Sequence, residues 1–453
     1  MKVTFYGGAG VVTGVNYGLE AVGDNGKKVK ILVDCGLQQG GNFAEKKNFE
    51  PFPYDPAEVD FVLITHAHID HIGLLPKLFK AGFRGKIFSS YPTHDFAELM
   101  LLDSEHILYR EAEREGKDPL YNVADIGAMM KFWEGVNYHQ IVDLNGVKAE
   151  FYNAGHILGS AFIKLTAEGK TIVFSGDLGN YPAPIIKSTE KIPAADYCLI
   201  ESTYGDRIHE NVNMRREELE DAIEEIAKTK GTLLIPAFAM ERTQQLLFEL
   251  NDLVENGKIP KIQVYIDSPL AIHLTEIYKK YRGQFTDEVE AMIKGGDDIL
   301  DFPGLHFTLT TEESKTINEA PQPKVIIAGS GMSHGGRILH HERRYLRDSK
   351  SMILFVGYQG KGSLGRQILE GAREVTIMGE RVPVRARVRV ISGYSAHADQ
   401  PRLLEWLRPI RMNLKKVFVV QGEEGASEAL AQKIRDELAV HTVIPETNDE
   451  AEL

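Results

Sequence analysis

Apolar residues in the first 206 positions fall in short runs, most of which stop at Gly, Asp, His or Ser: "KVTFYGG", "VKILVDCG", "FVLITHAH", "AFIKLTA", "KTIVFSGD" and "YCLIEST". Such runs, rich in Val, Ile and Phe and closed by turn-forming residues, predict stacked β-strands with loops gathered at one edge. Past "STYGDR" the pattern changes. Amphipathic stretches, with a helix predicted over 214–229 and another near 336–347, alternate with the buried runs "GTLLIPAF", "KIQVYID", "KVIIAGSG" and "SMILFVGYQG". That alternation predicts an α/β layer built on a parallel sheet. From about residue 386 strand character returns in "ARVRVISGYSAHAD" and "KVFVVQGEE", with helices expected at 400–407 and 426–438 and a frayed tail, "ETNDEAEL". The organisation implied is an insertion: residues 1–206 and 386–453 form one body, and residues 207–385 are inserted into it.

Composition sharpens this reading. At 453 residues and 43% hydrophobic the chain exceeds one ordinary core. No apolar run is long enough to span a membrane and "MKVTFYGG" has no apolar leader region, so a cytoplasmic protein without membrane contact is expected. Cys35 and Cys198 lie in apolar runs without C-x-x-C spacing, as buried reduced thiols do, so a metal would have to use His and carboxylates. The net charge of −13 argues against a protein that coats nucleic acid non-specifically. Residues 324–411, however, carry 16 Lys+Arg against 7 Asp+Glu. A local anion-binding surface and scattered solvated arginines both explain that count.

The stretch "FVLITHAHIDHIGLLP" carries the chemistry. His66, His68, Asp70 and His71 crowd the end of an apolar run, with His66 and His68 on one side of the chain by period-two alternation. So many polar groups are not buried together without a partner, and H-x-H-x-D-H spacing points to a metal. Further ligands are available at strand ends, His156 in "NAGHILGS" and Asp177 in "FSGDLGN", the latter able to bridge two ions. Imidazole and carboxylate suit zinc best, with manganese and iron compatible. Asp34 in "ILVDCG" reads either as a carboxylate orienting a ligand imidazole or as a turn residue before Gly36.

In order, Asp34, His66 to His71, His156 and Asp177 resemble the successive motifs of the metallo-β-lactamase fold. The later segments "LIESTYGDR", "PAFAMERTQQLL", "DSPLAIHLTEIY", "VIIAGSGMSHGGR", "GYQGKGSLGRQIL" and "ISGYSAHAD" resemble the β-CASP branch, the nucleases that include the endonuclease of pre-mRNA 3′-end processing. The resemblance implies an α/β chain: a four-layer αβ/βα sandwich with two zinc ions, an inserted α/β β-CASP domain, and single-stranded RNA cleaved in the groove between them. It implies a first zinc on His66, His68, His156 and Asp177, and a second on Asp70, His71 and the shared Asp177. One position departs from the pattern. RNA-cleaving members carry a histidine before Gly-Glu in the last motif, whereas "VFVVQGEE" puts Gln421 there, and a neutral amide oxygen is a weak zinc ligand.

On this resemblance Asp70 would orient a metal-activated hydroxide, and His397 would protonate the leaving ribose oxygen with Glu201 holding its ring. Ser330 and Gly331 in "GSGMSHGGR" would offer backbone N–H groups to phosphate at a helix start, with Arg242 and Lys361 as cationic contacts. In "RVPVRARVRV" the arginines alternate with valine and would share one strand face. Other readings stay open: a catalytically weakened RNA-binding homologue, a DNA nuclease, and a small-molecule hydrolase of the same fold. A homodimer is also open.

Overall fold

The computed structural model describes residues 1–39, 46–209, 214–360 and 362–453. These form two compact units, one of Met1–Ala183, Lys187–Ile208 and Ala396–Leu453, the other of Pro184–Ile186 and His209–Ser395.

The first unit contains two seven-stranded sheets. One runs in the order Glu450–Glu452, Lys2–Gly7, Asn16–Val22, Lys28–Val33, Phe61–Leu63, Lys86–Ser90 and Trp133–Val136; the other runs Thr442–Val443, Lys416–Val420, Tyr197–Glu201, Lys170–Phe174, Ala161–Ala167, Val147–Asn153 and Ile141–Leu144. Their facing sides share one apolar core, to which Val3, Phe5, Leu19 and Ile31 come from the first sheet and Phe151, Ile163, Phe174 and Leu199 from the second. Strand alternation explains the unbroken apolar runs. In "KVFVV", Phe418 and Val420 enter that core, while Val417 and Val419 face a second core with Leu403, Trp406, Leu430 and Ile434 of the helices Gln400–Leu407 and Glu424–Leu438. Helices Leu75–Lys80, Tyr91–Glu115 and Val123–Met129 accompany the first sheet, completing a helix–sheet–sheet–helix sandwich.

Local chemistry fixes the helix ends. Ser90 caps Tyr91–Glu115 by accepting from Thr93 N, with Pro92 in the first turn and Gly116 closing the last turn at φ 64°. Asp399 caps Gln400–Leu407 by accepting from Arg402 N.

The second unit is built on a six-stranded, wholly parallel sheet in the order Leu305–Phe307, Gln263–Ile266, Lys324–Ala328, Thr232–Pro236, Met352–Phe355 and Arg387–Val390. Helices Arg215–Thr229 and Ile338–Tyr345 lie where the apolar periodicity put them.

Three expectations are corrected. The strand Arg387–Val390, placed by sequence in the returning body, pairs with Met352–Phe355 instead, so the chain leaves the second unit at Ser395 and not near 386. Val388 packs on that unit's core, and Arg387 and Arg389 pair with Glu225, which holds the strand there. The arginine ladder is not one strand either, because Arg381 belongs to the separate hairpin strand Glu380–Pro383 and pairs with Glu374. Finally, the tail is ordered: Glu450–Glu452 pairs antiparallel with Lys2–Thr4, and Lys2 Nζ lies 2.8 Å from Glu450.

Candidate metal centre

The site lies in the first unit, where strands of both sheets end. Strand Phe61–Leu63 stops three residues before His66, earlier than alternation suggested, because Thr65 N donates to Asp34 Oδ1 at 2.8 Å in place of a strand partner. His68 then precedes a four-residue helix, Ile69–Ile72, that carries Asp70 and His71. Gly36 allows this approach: a Cβ there would sit 1.5 Å from the Asp70 carbonyl oxygen. His156 follows strand Val147–Asn153 and its N–H donates to Ser160 Oγ at 3.0 Å. Asp177 follows Lys170–Phe174, Glu201 ends Tyr197–Glu201, and Gln421 follows Lys416–Val420 in a left-handed conformation at φ 51°.

Four donor atoms converge. His66 Nε2 is 3.0 Å from His68 Nδ1 and 3.4 Å from Asp177 Oδ2, and His156 Nε2 is 3.3 Å from His68 Nδ1 and 3.5 Å from Asp177 Oδ2. A tetrahedral cation with bonds of about 2.0–2.1 Å needs donor separations of roughly 3.3 Å, so the set has the right size for zinc. The lone pairs are also aimed correctly. His66 Nδ1 lies 3.0 Å from Thr65 Oγ1, whose own proton goes to Asp34 Oδ2 at 2.8 Å, and His156 Nδ1 lies 3.3 Å from the Ala396 carbonyl. Both imidazoles therefore carry the proton on Nδ1 and turn the Nε2 lone pair inward. Burial, with neighbouring imidazoles adding to it, holds His68 and His156 well below the ordinary histidine range. Burial alone would raise Asp177, but His71, His66 and His397 outweigh it and keep this carboxyl well below its usual range. Neutral imidazoles and an ionised carboxylate are the state a cation requires.

Asp34, fully buried at φ 62°, accepts from Thr65 twice and meets His71 Nδ1 at 2.7 Å. Of its two sequence readings the geometry matches the orienting carboxylate. Thr65 was missed: a hydroxyl directly before the first histidine acquires meaning only once Asp34 is folded against it. Beside the four-donor set, Asp177, Glu201 and His397 form a second close group, with His397 Nδ1 3.1 Å from Glu201 Oε2 and 3.9 Å from Asp177 Oδ2. Glu201 is held in turn by Leu178 N, which donates to its Oε1 at 2.6 Å. Burial opposes charge on His397, but Glu201, Asp177 and Asp70 together push it up to about 9.

Asp70 joins neither group, and burial raises its carboxyl. Gln421 Nε2 donates to Asp177 Oδ1 at 2.7 Å and lies 3.5 Å from His71 Nε2, while His441 is exposed.

The expected substrate contacts belong to the second unit and differ from expectation. Arg242 is buried, its guanidinium 5.2 Å from the Tyr394 ring and donating to Gln245, so it is an interior residue and not a solvated phosphate fork. Ser330 and Gly331 sit well before the helix start at Ile338, and Ser330 Oγ already accepts from His334 N at 3.0 Å and Gly335 N at 3.3 Å. The loop thus closes on itself instead of presenting a helix terminus. Lys361 lies outside the described residues. Much of the basic segment is internally matched: Arg347 pairs with Glu380 at 2.7 Å, Arg366 with Glu370 at 2.7 Å and Arg337 with Asp267 at 2.7 Å. Among the described residues no helix is long and apolar enough to cross a membrane.

Comparison with known proteins matches residues 24–185 to a metallo-beta-lactamase superfamily domain, 243–368 to a Beta-Casp domain, and 381–445 to a Zn-dependent metallo-hydrolase RNA specificity domain. Ribonuclease TTHA0252 of Thermus thermophilus is 38% identical over 432 residues, 95% of each chain. An RNase J-like protein of Methanocaldococcus jannaschii is 32% identical over 434 residues, covering 94% of this chain and 95% of that one. The transcription termination factor FttA of the same organism is 30% identical over 460 residues, with 98% of this chain covering 70% of it. A crystal structure of a protein of unknown function from Enterococcus faecalis shares the fold, with a TM-score of 0.57 at 12% identity, covering 100% of this chain and 99% of that one. With the sandwich, the inserted parallel sheet and the histidine–aspartate cage in place, these matches show that the chain belongs to the β-CASP ribonuclease family of metallo-β-lactamase-fold hydrolases.

Proposed function

We propose that this protein hydrolyses phosphodiester bonds of single-stranded RNA in the cytoplasm, with a zinc-class cation held by His66, His68, His156 and Asp177. The observation that carries the reading is the cage: three imidazole nitrogens and a carboxylate oxygen separated by 3.0–3.5 Å along four of its edges. When bound, such a cation supplies Lewis acidity toward water and phosphate oxygen. Asp70, adjacent to the cage in sequence and bearing a carboxyl raised by burial, orients the attacking water. His397, pushed up to about 9, keeps its proton at neutral pH and delivers it from Nε2 to the leaving ribose oxygen. Glu201 receives Nδ1–H and fixes the ring's orientation. The RNA specificity domain match over residues 381–445, which contains His397, supports RNA over other phosphodiesters.

Zinc-loaded protein offered end-labelled single-stranded RNA, the matching DNA and nitrocefin is expected to shorten the RNA and leave nitrocefin intact. Turnover of nitrocefin without RNA cleavage would overturn the reading in favour of a small-molecule hydrolase, and cleavage of DNA alone would replace the substrate.

A further inference from the structure

The two halves of the expected metal centre are not equally built. Around the cage, lone pairs face lone pairs, and only a cation or added protons can reconcile them. The corner formed by Asp177 Oδ1, His71 and Gln421 is different. Asp177 Oδ1 already accepts from the Gln421 carboxamide at 2.7 Å, closer than the roughly 3.3 Å that two donors on one tetrahedral cation adopt. The amide's orientation follows from its partner: an ionised carboxylate accepts only, so the NH₂ end faces it and the carbonyl oxygen turns away. His71 has its Nδ1 on Asp34 at 2.7 Å and its Nε2 3.3 Å from Asp177 Oδ1 and 3.5 Å from the same Gln421 nitrogen. The amide thus stands against both atoms that a second ion would bind. Asp70, the other donor expected there, joins no close group with them.

Gln421 is itself locked in place. Its main-chain N–H donates to the Gly8 carbonyl at 2.7 Å, its main-chain carbonyl accepts from Thr203 Oγ1 at 3.2 Å, and the residue is 2% exposed. Turning the amide so that its oxygen could ligate would break the 2.7 Å bond to Asp177 and replace it with a neutral, weak oxygen donor.

From this arrangement we infer that the centre is mononuclear: the four-donor cage takes one cation, and the Gln421 carboxamide occupies the position of a second, supplying Asp177 Oδ1 with a hydrogen bond where an ion would supply charge. This inference rests on the proposed function, because it takes the cage to be a metal site.

The test is a count of bound ions, read independently of activity. Protein dialysed against excess zinc, freed of loosely held metal and analysed by elemental and native mass spectrometry is expected to carry one ion per chain. Gln421→His, which tolerates the left-handed backbone and restores an imidazole, is expected to raise the count to two. Gln421→Glu serves the same purpose should the histidine variant fold poorly. Two ions on the unsubstituted protein would overturn the inference while leaving the proposed function standing. No ion at all would overturn the proposed function together with it. A count that stays at one in both variants would remove Gln421 as the cause. An anomalous-difference map of the zinc-loaded crystal should show one peak inside the cage and none against Gln421.

Discussion

Two buried aspartates, one in each unit, are each met by histidine and serve opposite ends. In the second unit Asp267, fully buried, receives Thr308 Oγ1, Ser314 Oγ, Arg337 Nη1 and His341 Nε2, each at 2.7 Å. Burial alone would raise its carboxyl, yet these donors hold it well below the usual range. Every close neighbour brings a proton, and Arg337 brings a permanent charge, so the cluster is complete without an ion. Asp177 in the first unit is also met by imidazole, but with the reverse polarity, since the Nε2 atoms of His66 and His156 turn lone pairs toward its Oδ2. Residue type alone does not separate a metal cage from a structural knot; the direction in which each proton points does. Glu342 is a third case. It is fully buried, Ser333 donates to its Oε1 at 2.5 Å, and among the described residues its Oε2 has no hydrogen-bond partner. Burial therefore pushes it up to about 7.

The largest expected contrast comes from deleting one member of each cluster. His68→Ala should abolish bound metal and reduce RNA cleavage to background while leaving the thermal transition of the apoprotein nearly unchanged. Asp267→Ala should do the converse, destabilising by about 2–4 kcal/mol because the buried donors of Thr308 and His341 lose their acceptor, with metal content per folded chain intact. Denaturant unfolding and elemental analysis of both variants check the pair.

Glu342 predicts a pH effect with a definite sign. Its carboxyl rises from 4.5 in the unfolded chain to about 7 when folded, so the folded protein holds the extra proton between those values. The stability this contributes is fully present below 4.5 and lost as pH rises to about 7, after which it is level. Glu342→Gln should flatten that slope, removing on the order of 3 kcal/mol of pH-dependent stability, as read by unfolding curves across the range. The smallest effect belongs to Thr65→Val. Losing the hydroxyl that accepts from His66 and donates to Asp34 should weaken metal affinity by about 10–100-fold without changing the count.

How much of this was legible in the chain depends on how local each signal is. His66, His68, Asp70 and His71 were readable because four polar groups crowd one short stretch, which no solvated surface or apolar core explains. His156, Asp177, Glu201 and His397 are weak signals singly, and gained force only as an ordered series at the ends of strands. Thr65 was not readable, since a threonine after an apolar run looks like any strand residue until Asp34 is folded against it. Arg242 and Ser330 misled because a sequence shows charge and hydroxyls but not what buries or caps them. Arg387–Val390 was correctly seen as a strand and assigned to the wrong sheet, because period-two alternation fixes the conformation of a segment and says nothing about its neighbour. The role of Gln421 needed both sources: the motif marked the substitution, and the 2.7 Å bond to Asp177 gave it a function.

Cleavage of labelled single-stranded RNA by the protein as purified, after complete chelation, and after zinc is returned tests the central claim most directly. The account predicts loss of cutting on chelation and recovery with zinc in the unsubstituted protein, with no recovery in His68→Ala. Cutting that survives verified removal of all metal would contradict it.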